Sequence, residues 1–207
     1  MSTPAEQLVW IDCEMTGLDP SIDELVEIAV VITDFDLAPL DAGFSIVIAP
    51  SEAAYNNMGE FVLNMHTESG LLAEIPGGVP VAQAEKQVIE YIDRFVPSGK
   101  RALLAGNTIG TDRMFLARYM PTLDEHLHYR NIDVSSIKEL ARRWFPPTYY
   151  NAPEKNGGHR ALADILESIR ELAYYRSAVF IPGEGPGNTE SQGIATDTVD
   201  TFAEKMY

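Results

Sequence analysis

The hydrophobic positions within residues 1–50 follow the spacing of β-strands. Leu8–Ile11 is a short apolar run, and the stretches Glu24–Asp36 and Gly43–Pro50 are rich in Val and Ile. Apolar runs of this length that are bounded by turn residues are typical of strands. Because only short turn segments separate the three, the pattern predicts an antiparallel meander.

Helical spacing begins at residue 80. The segment 80–97 carries apolar residues three or four positions apart between two prolines, which is typical of an amphipathic helix. A short buried strand is predicted over 101–107. A long helix is predicted over 159–180, and its apolar stripe is formed by Leu162, Ile165, Leu166, Ile169 and Leu172.

Two further helices are predicted between these elements. The segment 110–121 reads as a helix with Thr111 as its N-cap, and 130–146 reads as a short strand followed by a helix capped by Ser135 or Ser136. Three leading strands followed by alternating helix and strand predict an α/β or α+β fold, with helices packed on a mixed sheet.

The domain organisation follows from length and composition. A chain of 207 residues suits one domain with a full-sized core, which we expect over residues 1–180. Residues 181–207 are rich in Gly, Pro and polar side chains, with five acidic residues against one lysine. We therefore expect a flexible acidic tail there.

Composition and charge limit the expected cellular location of the protein and the ligands that it is expected to bind. The chain lacks a transmembrane run and a signal peptide pattern, and its single cysteine suits a reducing compartment, so the expected location is cytoplasmic. The net charge of −16 argues against a protein that coats long nucleic acids. Residues 101–160 nevertheless carry nine Lys and Arg against six Asp and Glu. This is either random variation or the place where a small anionic ligand binds.

Two carboxylates interrupt the first apolar strand. Side chains two residues apart on a strand point to the same face, so Asp12 and Glu14 face one way and Cys13 the other. Two carboxylates aimed at one point repel each other unless a cation or a proton lies between them. A solvated strand end is the alternative, and the pair alone does not decide between the two.

Three more polar residues join this pair as candidates. Each has an ordinary explanation alone: Asp112 suits the first turn of a helix, His159 suits a surface loop, and Asp164 lies near an apolar stripe. Together, four carboxylates on separate elements can bind two divalent cations such as Mg²⁺ or Mn²⁺. Such a metal pair can activate water and stabilise a leaving oxygen, while a histidine accepts the proton.

The order of these residues resembles a known family. D-x-E, then an Asp in a Gly-Asn loop and helix, then H-x4-D resembles the DEDDh 3′–5′ exonucleases. The blocks "WIDCEMTGLDP", "NMHTESGL", "AGNTIGTDRMFLARYMP", "HYRNIDVSSIKELARRW" and "GGHRALADILESI", which fall within residues 7–176, resemble the oligoribonucleases among them. This resemblance implies a ribonuclease H-like fold (a mixed β-sheet flanked by helices), a homodimer, and 3′-to-5′ hydrolysis of short RNAs of about two to five nucleotides to mononucleotides.

The resemblance also implies roles for individual residues. Asp12, Glu14, Asp112 and Asp164 would hold the two cations, and His159 would be the general base. The substrate-binding residues would be Leu18 (a wedge against the bases), Phe61 (a stack on the terminal base), His66 (near the scissile phosphate), Thr108, Tyr129 (reaching across the dimer), and Arg130, Ser135 and Ser136 (on the 5′-phosphate).

Two departures from the family pattern and two rival functions stay open. Phe61 stands where the family often has tryptophan, and Thr108 stands where a serine is expected. The first rival is an exonuclease for longer substrates, such as a tRNA-trimming or DNA-proofreading enzyme. The second is a nucleotide-binding module without catalysis. Ser135 and Ser136 also have the simpler interpretation of helix caps.

Overall fold

A five-stranded mixed sheet forms the centre of the protein. The computed structural model describes residues 5–155 and 158–206, without the side chains of 204–206. The strands are β1 (Leu8–Met15), β2 (Leu25–Thr33), β3 (Phe44–Val47), β4 (Leu103–Gly106) and β5 (His128–Asp133), and they lie in the order β3-β2-β1-β4-β5. β1 pairs antiparallel with β2 and β2 with β3, whereas β4 runs parallel to β1 and to β5. The predicted meander and mixed sheet are confirmed.

Ten helices are described around this sheet. They are α1 (Glu52–Asn56), α2 (Glu60–Glu68), α3 (Leu71–Glu74), α4 (Val81–Ile92), α5 (Ile109–Tyr119), α6 (Pro121–His126), α7 (Val134–Trp144), α8 (Pro146–Tyr150), α9 (Ala161–Ala178) and α10 (Asn188–Met206). The hydrophobic pattern predicts α4, α5, α7 and α9. It misses α1 to α3, α6 and α8, because helices of four to nine residues show too few turns for a clear apolar repeat.

The sheet separates two hydrophobic layers. Val9, Ile11 and Cys13 of β1 belong to the layer beneath α4 and α5. Leu8 and Trp10 belong to the layer beneath α7 and α9. Because side chains alternate along a strand, Asp12 and Glu14 continue the face of Trp10, which is the face that α9 covers. The strand therefore aims both carboxylates toward the helix that carries Asp164.

Two predicted helix caps and one predicted core residue are wrong. α5 begins at Ile109 after Thr108, so Thr111 lies inside its first turn. α7 is capped by Asp133, whose carboxylate accepts the Ser135 N–H at 3.3 Å. An aspartate just before the first turn caps as well as a serine does, so the helix starts earlier than predicted. Leu166, placed on the buried stripe of α9, is 48% exposed.

The C-terminal region contains a helix that the composition does not predict. α10 spans most of the expected flexible tail, and its described side chains through residue 203 are exposed. The division of the chain at residue 180 stays a prediction. Among the helices described, α10 included, none has the length and apolar character needed to cross a lipid bilayer.

Candidate active site

The C-terminal end of β1 carries the first two carboxylates. Glu14 is buried and Asp12 is half-buried, and Glu14 lies opposite Glu27 in the antiparallel pairing with β2. The strand register shifts between Glu14 and Met15. Irregularities of this kind bend a strand and redirect its side chains, and here the shift falls directly after the acidic pair.

Asp164 joins this pair from the first turn of α9. Oxygen atoms of Asp12, Glu14 and Asp164 all lie within 4.8 Å of one another. Three carboxylates at this separation form the kind of oxygen site that hard divalent cations prefer. The structure therefore brings together three of the four acidic residues that the sequence singles out.

Asp112 approaches the same strand end from α5. It is buried, and its Oδ1 accepts the backbone N–H of Cys13 at 3.0 Å. That hydrogen bond fixes the carboxylate beside the peptide that lies between Asp12 and Glu14. Asp112 stands next to the group of three and raises the pKa of Asp12 by its charge.

The electrostatics of the cluster reflect burial and mutual repulsion. Burial, followed by the charges of Asp112, Glu14 and Asp164, raises the pKa of Asp12 well above its ordinary value. Burial raises the pKa of Glu14 to about 8 and that of Asp112 to about 7, and burial also raises the pKa of Asp164. Crowded carboxylates in a dry site hold their protons until a cation replaces them. Bound cations would balance the charges of these four carboxylates.

Two histidines flank the carboxylates. His159 lies in the loop before α9 with φ 44°, and its side chain is exposed. It lies five residues before Asp164 in the chain. His66 is fully buried on α2. Its Nε2 lies 2.9 Å from the Met15 carbonyl oxygen and its Nδ1 lies 4.0 Å from Glu14 Oε2.

Two large apolar side chains stand in solvent. Leu18, in the β1–β2 turn, is 75% exposed, and Phe61 on α2 is 80% exposed. The turn is braced from within, because Asp23 accepts the Thr16 hydroxyl at 3.1 Å and the Asp19 N–H at 2.9 Å. The turn thus presents Leu18 on a supported backbone.

Asn107, Thr108 and Ser135 form a hydrogen-bonded group at the end of β4. The Ser135 hydroxyl oxygen accepts the Thr108 N–H at 2.6 Å, lies 2.9 Å from the Thr108 hydroxyl, and donates to the Asn107 side chain at 3.2 Å. Asn107 in turn donates to Ser168 and Glu171 of α9. The group links β4, α7 and α9.

β5 and the first turn of α7 carry the predicted phosphate-binding residues. Tyr129 stacks on His128 with ring centroids 4.5 Å apart, and the Arg130 guanidinium lies 5.4 Å from the Tyr129 ring centre. The Arg130 N–H donates to His128 Nδ1 at 3.1 Å. Ser136, in the first turn of α7, donates to Asp133 at 2.6 Å. Tyr129 and Arg130 lie near the start of β5, an edge strand of the sheet, and Ser136 lies just beyond its C-terminal end.

The sequence analysis misses Glu27, Arg160 and Asn107. A signal exists for Glu27, because it is a lone carboxylate within the apolar run "LVEIAVVIT", and a buried charge requires a partner. The partner, Arg160, follows His159 directly but contacts a strand 133 residues earlier. No local pattern predicts that contact.

Comparisons with known proteins agree with this geometry. Residues 9–172 match the RNase_T family, described as exonuclease. An oligoribonuclease from Leifsonia xyli is 65% identical over the full length of both chains, and one from Tropheryma whipplei is 58% identical over 84% of this chain and 93% of its own. An exonuclease I from Methylocaldum szegediense has a similar fold, with a TM-score of 0.62 and 20% identity over 84% of this chain. The match covers only 41% of that longer protein.

Proposed function

The chain belongs to the exonuclease family and, within it, to the oligoribonucleases, and from this premise we propose the details of its reaction. It hydrolyses short RNAs from the 3′ end to nucleoside 5′-monophosphates, with dinucleotides as the main substrates. One observation carries the proposal. Oxygen atoms of Asp12, Glu14 and Asp164 lie within 4.8 Å of one another at the C-terminal end of β1.

The carboxylate cluster fits a pair of divalent cations, Mg²⁺ or Mn²⁺. Its ligands are hard oxygens, and burial together with the charges of neighbouring carboxylates raises the pKa values of Asp12 and Glu14. We assign the two ions to Asp12, Glu14, Asp112 and Asp164. Bound there, the ions would activate the attacking water and stabilise charge on the leaving 3′ oxygen.

His159 is the proposed general base. It accepts the proton of the water that attacks phosphorus, while the bond between phosphorus and the 3′ oxygen of the preceding nucleotide breaks. Its side chain is exposed in the loop that leads into the helix of Asp164, which supports its access to that water. His66 is buried beneath the site against Glu14 and Met15, and its approach to the phosphate stays a prediction.

The ends of the substrate are held by different surfaces. Leu18 and Phe61 offer exposed apolar faces on which bases can pack, and base stacking on an aromatic ring tolerates any sequence. Arg130, Ser135 and Ser136 receive the 5′-phosphate. The Ser135 hydroxyl is already hydrogen-bonded to Thr108 and Asn107. Arg130 therefore supplies the main attraction for the phosphate, through its positive charge. Thr108 stands where a serine is expected, and its hydroxyl, 2.9 Å from that of Ser135, would serve the same role.

We also propose a homodimer and a cytoplasmic location. Tyr129, Trp144 and Tyr150 are each more than 60% exposed, and large exposed aromatic side chains are typical of protein interfaces. In a dimer, Tyr129 would complete the 5′-phosphate site of the partner subunit. Sedimentation velocity tests the dimer, and a single monomeric species would contradict it.

The experiment that tests the function is a length series. Purified protein with Mg²⁺ or Mn²⁺ receives 5′-labelled RNAs of two, four, seven and twenty nucleotides, with Asp12→Ala as the control for contaminating activity. We expect rapid loss of the dinucleotide and slow loss of the longest RNA. Equal or faster trimming of the longest RNA would assign the protein to the general exonucleases. Metal binding without hydrolysis would favour the non-catalytic module.

A further inference from the structure

A buried carboxylate outside the proposed metal site holds the start of α9. Glu27 on β2 is 1% exposed. It accepts the Ser45 hydroxyl at 3.0 Å, the backbone N–H of Ala161 at 3.1 Å, and the Arg160 guanidinium at 3.0 Å. A buried charge is tolerated only when it is paired and hydrogen-bonded, and Glu27 satisfies both conditions through the first residues of α9.

Arg160 is held on a second side by Glu74. Two guanidinium nitrogens contact the two Glu74 oxygens at 3.0 and 3.1 Å, which is the bidentate geometry that arginine forms with carboxylates. The backbone carbonyl of Arg160 accepts the N–H groups of Ala163 and Asp164 at 2.9 and 3.1 Å. Arg160 thus joins β2, α3 and α9 through one side chain and one carbonyl.

This junction lies one peptide bond from His159. His159 has φ 44°, in the left-handed region that non-glycine residues seldom adopt. Such a conformation persists only when the surrounding structure holds it. Arg160, the next residue in the chain, is fixed to β2 by Glu27 and to α3 by Glu74, and these contacts restrain the backbone that follows His159.

Glu74 connects the junction to the substrate side. It ends α3, which follows α2, the helix that carries Phe61 and His66. Leu71 of α3 packs in a small buried cluster with Val26 of β2. Glu27 is buried, whereas the Glu74 side chain is 48% exposed, so its ion pair with Arg160 is the weaker anchor.

We infer that Arg160 is a positioning residue for His159, with Glu27 as its fixed anchor and Glu74 as a second anchor from the segment that carries Phe61. The inference rests on the proposed role of His159 as general base. It assigns Arg160, Glu27 and Glu74 no contact with substrate or metal.

A double-mutant cycle tests this directly. Arg160→Lys keeps the charge but loses the bidentate geometry, and we expect kcat on a dinucleotide to fall roughly tenfold to a hundredfold, as misplacement of a catalytic group does, with KM within about twofold. In a His159→Asn background the same change should cause no further loss, because the residue through which it acts is absent. Arg176→Lys, on the same helix with Asp36 as partner, is the matched control and should leave kcat unchanged.

Glu74→Gln provides a second variant that keeps the buried anchor intact. It should lower kcat less than Arg160→Lys does, by about threefold to tenfold, because an exposed ion pair contributes less. Restoration of activity by Glu74→Asp, which keeps the charge, is expected to be partial. An unchanged kcat in Glu74→Gln would remove Glu74 from the inference.

Nuclear magnetic resonance of the histidine rings gives a readout independent of activity. The His159 signals of the metal-free protein, assigned by their loss in His159→Asn, should shift in Arg160→Lys and stay in place in Arg176→Lys. Unchanged signals would overturn the inference. So would further loss of activity in the double variant, or a tenfold loss of Mn²⁺ affinity, which would show action through Asp164. Full activity of His159→Asn would instead contradict the proposed general base.

Discussion

At the carboxylate end of the site, Glu14 and Asp112 are buried and their pKa values are raised, whereas at the β5–α7 end Tyr129 and Arg130 are exposed in a segment of net positive charge. The first end is destabilised by its own charges until cations bind. At the second end, the Arg130 N–H donates to His128 Nδ1 and the Ser136 hydroxyl donates to Asp133. The difference implies that mutations at the two ends have different consequences.

The largest effect is expected from Asp12→Asn. Removal of this charge should lower kcat by roughly a thousandfold or more. A cation that Asp12 would hold could then no longer stabilise the negative charge that develops in the transition state. In EDTA at pH 8 the same variant should melt at a higher temperature than the parent, since it relieves repulsion among buried carboxylates. Asp200→Asn, in exposed α10, is the control for both measurements. A lower melting temperature of Asp12→Asn would contradict the repulsion among the buried carboxylates.

Arg130→Ala probes the other end. It should raise KM for a 5′-phosphorylated dinucleotide by about tenfold to a hundredfold, as loss of a charge-assisted hydrogen bond does, with the melting temperature unchanged. The effect should vanish for a dinucleotide with a free 5′-hydroxyl. Arg118→Ala, an exposed arginine on α5, serves as control. An equal rise in KM for both substrates would show that Arg130 does not read the phosphate.

Metal removal links stability to pH at the carboxylate end. Burial raises the pKa of Glu14 to about 8 and of Asp112 to about 7, above the ordinary values of 4.5 and 3.8 that the unfolded chain keeps. The folded protein therefore retains protons that the unfolded chain releases, and stability present at low pH is lost as the pH rises through 7 and 8.

We expect the melting temperature in EDTA to fall by several degrees between pH 5 and pH 8, since about 1 kcal/mol shifts it by about 2–4 °C in a chain of this size. Added Mg²⁺ should restore more at pH 8 than at pH 5, because the ion competes with protons for the same oxygens. Differential scanning calorimetry measures both, and Arg130→Ala should follow the parent. A melting temperature in EDTA that does not change with pH would mean that the carboxylates do not have raised pKa values.

The same contrast explains what the sequence could predict. Strands β1 and β2 are apolar runs bounded by turn residues, so they follow from the pattern, and the shared face of Asp12 and Glu14 follows from the alternation of side chains along a strand. α9 follows from its apolar spacing, although Leu166 is exposed at the edge of the stripe. The ordering of the acidic residues then indicates that they converge, because each ends or begins an element at the same edge.

What could not be predicted depends on contacts between distant residues. Arg160 and Glu27 are 133 positions apart, and either residue alone resembles an ordinary surface charge or a strand irregularity. The left-handed conformations of Thr108 and His159 have no local sequence signal, because neither residue is glycine. For the cap of α7 the sequence analysis considers Ser135 and Ser136 but not Asp133, which is of a residue type that favours helix starts equally.

The smallest effect is expected at Phe61, which belongs to neither charged end. Phe61→Trp enlarges the exposed ring, and stacking of one base contributes about 1–3 kcal/mol in total, so a larger ring should lower KM for a dinucleotide by only about twofold to fivefold. kcat should stay constant, since Phe61 is not among the residues proposed to hold the cations or to accept the proton. Phe61→Leu should raise KM for purine more than for pyrimidine dinucleotides, because larger bases lose more stacking. Steady-state kinetics on four dinucleotides measure this, with Phe35→Leu, an exposed phenylalanine next to Asp36, as control. A change in kcat instead of KM would mean that Phe61 helps to align the scissile bond, and the separation between base packing and charge would not hold.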